Sequence, residues 1–235
     1  LIAIISDIHG NFPALESVLK DMEQYHVEQI ISLGDIAGYY PFINEVICKL
    51  KTKNVINIIG NHDRYMLDKI ECPRSYSANV CLNYQKKVIT KENFKWLKNS
   101  ISKIDFDNVS MVHGGWINNE DEYIFKVKDS YFEGINYKYF FCGHTHVQKK
   151  VTMKNQKFFI NPGSVGQPRD GDCKAAYCLF DLIKKEVIFK RISYNIDIIA
   201  SKMRELGFEK KFYENLYKGT RIGGKKDMIS YERLT

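Results

Sequence analysis

Six histidines occur in 235 residues, and five of them stand in short motifs with Asp, Asn or Gly: His9, His62, His113, His144 and His146. The motifs are Asp7-Ile8-His9-Gly10, Gly34-Asp35, Gly60-Asn61-His62-Asp63, His113-Gly114 and Gly143-His144-Thr145-His146. Imidazole, carboxylate and amide oxygen without thiolate form a donor set suited to manganese, iron, zinc and similar ions. The Asp35 carboxylate has two oxygens and can bridge two ions, while Asn61 offers a neutral carbonyl oxygen. The i,i+2 spacing of Asp7 and His9 sends both side chains the same way from an extended backbone. Gly10, Gly34, Gly60, Gly114 and Gly143 leave room for backbone beside a crowded centre. The sixth histidine, His26, reads as structural at a helix end.

The elements that must position these residues follow an α/β pattern over the first two thirds of the chain. Residues 1–5 read as a buried strand ending at the Asp7 motif. Leu15, Val18, Leu19 and Met22 recur at three- and four-residue steps, predicting a helix from Phe12 to Tyr25 with Pro13 tolerated in its first turn. Strands are expected at 29–33 and 55–59, separated by a helix at 43–50. A mostly helical stretch follows from Arg64 to Ser100, with Thr90 as N-cap of its last helix. Strands at 109–112 and 139–141 flank an irregular, aromatic segment at 118–137. Segments 147–153, 157–160, 175–181 and 187–192 read as a run of antiparallel strands, and two short helices with a polar tail close the chain. Every unusual polar motif therefore directly follows a strand. Ligands of α/β folds bind beyond strand C-termini, so motifs distant in sequence can meet at one edge of a sheet.

Composition bounds the function. A chain of this length buries a sizeable core unaided, so a metal it binds is catalytic rather than needed for folding. The formal charge of +7 suits anionic substrates such as phosphoesters, nucleotides or nucleic acid. Between Lys202 and Arg233 nine Lys/Arg face five Asp/Glu, either a solvated basic face or a patch that steers phosphate or nucleic acid. The six cysteines form no CxxC pair and read as reduced thiols of a cytoplasmic protein, with Cys142 filling core. No apolar run is long enough to span a membrane, and the start lacks the basic residues of a signal peptide. The chain opens on Leu rather than Met, so a residue or two are expected ahead of it.

The series of motifs closely resembles the calcineurin-like metallophosphoesterase superfamily. SDIHGN at 6–11, GDIAGYYP at 34–41 and NPGSVGQPRDG at 161–171 resemble its small prokaryotic YfcE-like branch. The resemblance implies a two-sheet β-sandwich flanked by helices, a four-layer αββα fold, over residues 1–195, with 196–235 as a helical extension packed on the same domain. It further implies a first metal held by Asp7, His9 and His146, a second by Asn61, His113 and His144, and Asp35 bridging them. His62 is then assigned to the leaving group, with Asp63 orienting it. Manganese is the foremost candidate for the two divalent ions, with iron, zinc, nickel and cobalt as other occupants.

The expected reaction is hydrolysis of a phosphodiester or phosphomonoester by a hydroxide shared between the ions, with His62 as general acid. Arg169 is either a surface residue paired with Asp170 or Asp172, or a bidentate grip on a phosphate oxygen. Asn11 is a second candidate donor to substrate, and Tyr39 and Tyr40 read as packing or rim residues. Two rival readings are hydrolysis of a dinucleoside polyphosphate and a non-catalytic scaffold on the same fold. The substrate is expected to be a small phosphoester or nucleotide, with nucleic acid as a further candidate, no membrane partner, and a homodimer or homotetramer as the assembly.

Overall fold

The computed structural model describes residues 1–233. Its first half alternates strand and helix: β1 (Ile2–Ile5), α1 (Phe12–Met22), β2 (Gln29–Ser32), α2 (Ile43–Thr52) and β3 (Ile56–Asn57). Three helices follow, α3 (Asn61–Leu67), α4 (Tyr76–Val88) and α5 (Lys91–Lys98), then β4 (Ile104–Phe106) and β5 (Val109–Met111). Next come β6 (Lys126–Lys128), the short α6 (Asp129–Phe132), β7 (Tyr139–Phe141), β8 (Gln148–Thr152) and β9 (Phe158–Pro162). The strands β10 (Ala175–Asp181) and β11 (Glu186–Ile192), the helix α7 (Ile196–Glu205) and β12 (Ser230–Glu232) complete the order.

Two five-stranded sheets stack face to face, ordered β11-β10-β1-β2-β3 and β4-β5-β7-β9-β8. All four residues of β1 are apolar because both faces of the first sheet are covered. Ile2 and Ile4 point into the core between the sheets with Ile31, Met111, Phe141 and Phe180. Ala3 and Ile5 point outward into a second core beneath α1, α2 and α7. The outer face of the second sheet packs Phe140, Phe159 and Cys142 against Phe132 of α6 and Val127 of β6. A two-stranded parallel ribbon of β6 and β12 lies on that side.

The α1 stripe of Leu15, Val18, Leu19 and Met22 is buried, and Asn11 caps the helix by accepting from the Ala14 N–H at 3.2 Å. The α-helix stops at Met22 rather than Tyr25 because residues 23–25 donate three residues back, in a tighter turn. Thr90 caps α5 through the Asn93 N–H. The run 147–192 is not one antiparallel series. β8 and β9 pair antiparallel, but β9 joins β7 in parallel in the second sheet, while β10 and β11 pair with each other and β10 with β1 in the first. Alternation fixes which face of a strand is buried, not which sheet receives it.

Register matters most for function. β1 and β2 are parallel with Ile5 opposite Ser32, so the chain leaves both strands at the same level. β5 and β7 do likewise, Met111 standing opposite Phe141. The loops beyond these ends then bond to one another: Asp7 N–H donates to Gly34 O at 2.9 Å, His9 N–H to Asp35 O at 2.9 Å, and Gly143 N–H to His113 O at 2.8 Å. One rim across both sheets collects all of the polar motifs.

Candidate metal centre

At that rim the loops make turns few residues tolerate. Asp7, His9, Asp35, His144 and His146 all have left-handed backbones, with φ of 54°, 51°, 56°, 63° and 60°. Such angles cost free energy for residues with a Cβ and persist only where the surroundings impose them. Asp7 and His9 thus share a side through two left-handed turns and not through the extended backbone their spacing suggests. Backbone bonds impose the shape: Asp7 O accepts from Gly166 N–H at 3.0 Å and from the Ser164 hydroxyl at 2.7 Å. Asn161 donates to Gly143 O at 2.7 Å and to the Thr145 hydroxyl at 3.0 Å. The stretch 161–166 therefore clamps the first and last ligand loops together.

The side chains converge. His146 Nε2 lies 3.1 Å from His9 Nε2 and 3.2 Å from Asp7 Oδ1. His113 Nε2 lies 3.2 Å from His144 Nδ1, 3.2 Å from Asn61 Oδ1 and 3.4 Å from Asp35 Oδ2. Asp35 Oδ2 stands between the two groups, 3.7 Å from His9 Nε2 on the other side. Its second oxygen accepts the His62 N–H at the start of α3, at 2.9 Å. All seven residues are buried.

Protons are fixed from behind. His9, His113 and His146 place Nδ1 at 2.7, 2.8 and 2.6 Å from the carbonyls of Ala37, Leu33 and Gln167. A carbonyl only accepts, so each Nδ1 carries a proton, and a ring that is neutral turns an Nε2 lone pair inward. Lone pairs of His9 and His146 then face each other at 3.1 Å with a carboxylate alongside, and among the described residues Asp7 Oδ1 has no hydrogen-bond partner. This repels unless positive charge sits among them. Donors about 2.0–2.1 Å from one ion stand about 2.9–3.4 Å apart, which matches the 3.1–3.4 Å contacts in each group, while His9 Nε2 stands wider, 3.9 Å from Asp7 Oδ1. The residues fit divalent cations.

Charge balance agrees. Burial works against the carboxylates of Asp7 and Asp35, yet neighbouring histidines hold both below the usual range. Burial lowers His9, His144 and His146, favouring the neutral rings a metal needs. His113 is the exception: burial would lower it, but Asp35 and then Asp7 raise it to about 10. Without a cation the two buried carboxylates draw a proton onto this ring, and a metal ion competes for the same place.

His62 faces the same space. A ring nitrogen lies within 4.8 Å of donor atoms of His9 and Asp35, and among the described residues Nδ1 has no hydrogen-bond partner. Asp63 does not orient it. Neighbours on a helix project about 100° apart, and the Asp63 carboxylate instead accepts from the N–H groups of Asp35, Ala37 and Gly60 at 3.0, 2.9 and 3.1 Å. It ties the second ligand loop to the start of α3. Asn11 is likewise spent on structure, donating to Gly166 O at 2.8 Å and to the Tyr194 hydroxyl at 3.1 Å besides capping α1. Both corrections have one cause: a polar residue beside a ligand motif serves the loop's backbone.

Arg169 is buried and bonds Gln167 Oε1 through Nε and Nη2, at 3.0 and 2.7 Å. Asp170 pairs with Arg191 instead, and among the described residues Arg169 has no ion-pair partner. With His62, Asn61 and Tyr39 it lines a cavity of about 250 Å³ beside the centre. Tyr39 packs edge-on to His9 with ring centres 4.9 Å apart, while the Tyr40 hydroxyl accepts from Gln167. Other residues of the site gave no signal in the sequence. Tyr123 stacks on His144 at 3.7 Å, and Asp121 lies 3.6 Å from His144 Nε2. Gly38, at φ 139°, is where a Cβ would stand 2.1 Å from His9 Nδ1.

A sequence model described as the calcineurin-like phosphoesterase superfamily domain matches residues 1–185. An uncharacterized protein of Methanocaldococcus jannaschii is 34% identical, covering 83% of this chain and 88% of the relative. Among solved structures, a metallophosphoesterase from Sphaerobacter thermophilus is 30% identical with a TM-score of 0.81, covering 93% of this chain and 98% of that one. A hypothetical protein from Pyrococcus horikoshii OT3 is 25% identical with a TM-score of 0.78, covering 93% and 99%.

Proposed function

The chain belongs to the calcineurin-like phosphoesterase superfamily, and we propose that it hydrolyses a phosphodiester or phosphomonoester at a pair of divalent cations. Asp7, His9 and His146 would hold one ion, Asn61, His113 and His144 the other, and Asp35 would bridge them. The observation that carries this reading is the pair of facing Nε2 atoms of His9 and His146, whose Nδ1 atoms are both spent on carbonyls, beside a carboxylate oxygen with no hydrogen-bond partner among the described residues. Ions bound there supply Lewis acidity toward phosphoryl oxygens and lower the pKa of water from about 15.7 toward 7.

The chain's own residues do the rest. Arg169, a buried guanidinium with no carboxylate partner among the described residues, neutralises a phosphate oxygen in the adjoining cavity. Gln167 and Tyr39 fix its orientation through Nε and Nη2. His62 stands where a leaving oxygen emerges into the cavity. Burial, reinforced by Arg169 and opposed by Asp35, holds its imidazole down to about 4, so the ring starts neutral. A bound phosphoester adds negative charge, raises its proton affinity and lets it protonate the departing oxygen.

The test is metal analysis of the purified chain joined to turnover of 4-nitrophenyl phosphate and bis(4-nitrophenyl) phosphate, with manganese and with a chelator. Metal near two equivalents and chelator-sensitive turnover of either ester is the expected result. Vacant sites together with no turnover in manganese would refute it and favour a scaffold.

A further inference from the structure

The cavity beside the centre is lined by more guanidinium groups than one phosphate requires. Arg74, Arg169 and Arg221 all line its roughly 250 Å³, and no Asp or Glu among the described residues does. Arg169 belongs to the wall nearest the centre. Its guanidinium carbon is 5.7 Å from the ring centre of Tyr39, which packs against both His9 and His62. The other two arginines converge on a different ring. Arg74 and Arg221 stand 5.3 and 5.8 Å from the centre of Tyr123, the ring stacked on His144.

These two come from remote parts of the chain. Arg74 precedes α4, and Arg221 follows residue 185, where the match to the family model ends. Each has a carboxylate partner that lies outside the cavity lining: Asp121 for Arg74 and Asp227 for Arg221. Those pairs engage Nη2 of Arg74 and Nε of Arg221. A guanidinium presents five donors in a planar fork, so each keeps donors for a second acceptor. Their side chains are 45% and 32% exposed, accessible to a ligand yet held by Tyr123 and an acid. Two like charges gathered at one ring, with hydroxyls of Ser75 and Ser77 beside them, make a site for an anion.

We propose that the substrate is a phosphoester carrying a second, covalently linked phosphate-like group, and that Arg74 and Arg221 bind this second group while the scissile one lies at the metal centre. The inference rests on the phosphoesterase reading for the identity of the first group, and on the arginine pair for the second. It selects against substrates with one anionic group, since these leave the outer pair without a partner.

Calorimetry on the manganese-loaded full chain tests it with two non-hydrolysable probes, methylphosphonate and methylenediphosphonate. The readout is the ratio of their dissociation constants in wild type, Arg74→Gln, Arg221→Gln and the double variant. A guanidinium–phosphonate contact contributes about tenfold in affinity. The preference for the diphosphonate is therefore expected to fall about tenfold in each single variant and further in the double. A ratio within twofold of wild type in the double variant overturns the proposal, as does a wild type with no preference. Arg74→Lys and Arg221→Lys, which keep charge but lose the fork, are expected to fall between. Failure of the phosphoesterase reading looks different: no ester turnover by wild type, while the diphosphonate preference persists and still responds to the arginines.

Discussion

The His62 imidazole is buried with an unpartnered Nδ1, and its replacement separates chemistry from metal binding. His62→Ala removes a proton donor but none of the seven proposed ligands. Turnover is expected to fall by about 10²–10⁴-fold on esters with poor leaving groups, with metal content unchanged by elemental analysis. Asp63 behaves in the opposite way. Its carboxylate accepts three backbone N–H bonds from the loops that carry Asp35 and Asn61. Burial and then the Asp35 charge push this acid up to about 7, so near neutral pH it is partly protonated and each bond contributes about 0.5–1.5 kcal/mol, more when it is ionised. Asp63→Ala is therefore expected to lower the melting temperature and the metal content together, and Asp63→Asn, which retains one acceptor oxygen, to lower both less. The contrast explains what could be read in advance. Imidazoles and carboxylates after strands announce a metal chemistry by type alone. Which way Asp63 points is decided by helix geometry, which its neighbour in sequence conceals.

Single turns between a strand and the next element set the accuracy of the centre, and small residues there test it. Gly38 passes so close to His9 that a methyl group would meet Nδ1, the atom that donates to Ala37 O. Gly38→Ala is expected to weaken metal retention by at least about tenfold on dialysis, because turning the ring redirects Nε2. Asn11→Ala is expected to cost about 1 kcal/mol or more in denaturant unfolding through the lost N-cap, with KM moved far less than kcat, since the Asn11 amide is engaged by Gly166, Tyr194 and Ala14. At this scale the sequence is a good guide to strands and helices and a poor one to their partners. The apolar stretches of β1, β2, β5 and β7 mark buried strands, and polar residues at their ends mark the rim. The split of β8 to β11 between two sheets is invisible to periodicity. Arg74, Tyr123 and Arg221 look like ordinary surface residues until the chain brings them together.

Taken whole, the molecule stacks two sheets so that every candidate ligand loop opens on one rim, and on the proposed reading the buried charge there ties stability to metal. A chelator is expected to abolish turnover and lower the melting temperature, with manganese restoring both. An ion present at a hundredfold excess over its dissociation constant adds about 2.7 kcal/mol. Differential scanning calorimetry at several manganese concentrations checks this, a melting point independent of manganese being the contrary result. The ribbon of β12 on β6 has a consequence in time. All seven candidate ligands and the 161–166 clamp have been synthesised by residue 169, whereas Arg221 follows much later and its segment is moored by residues 230–232 against 126–128. Chains fold from the N-terminal side as they emerge. A nascent molecule would thus hold all seven candidate ligands before Arg221 joins Arg74, so on the proposed reading the site for the second anion is completed last.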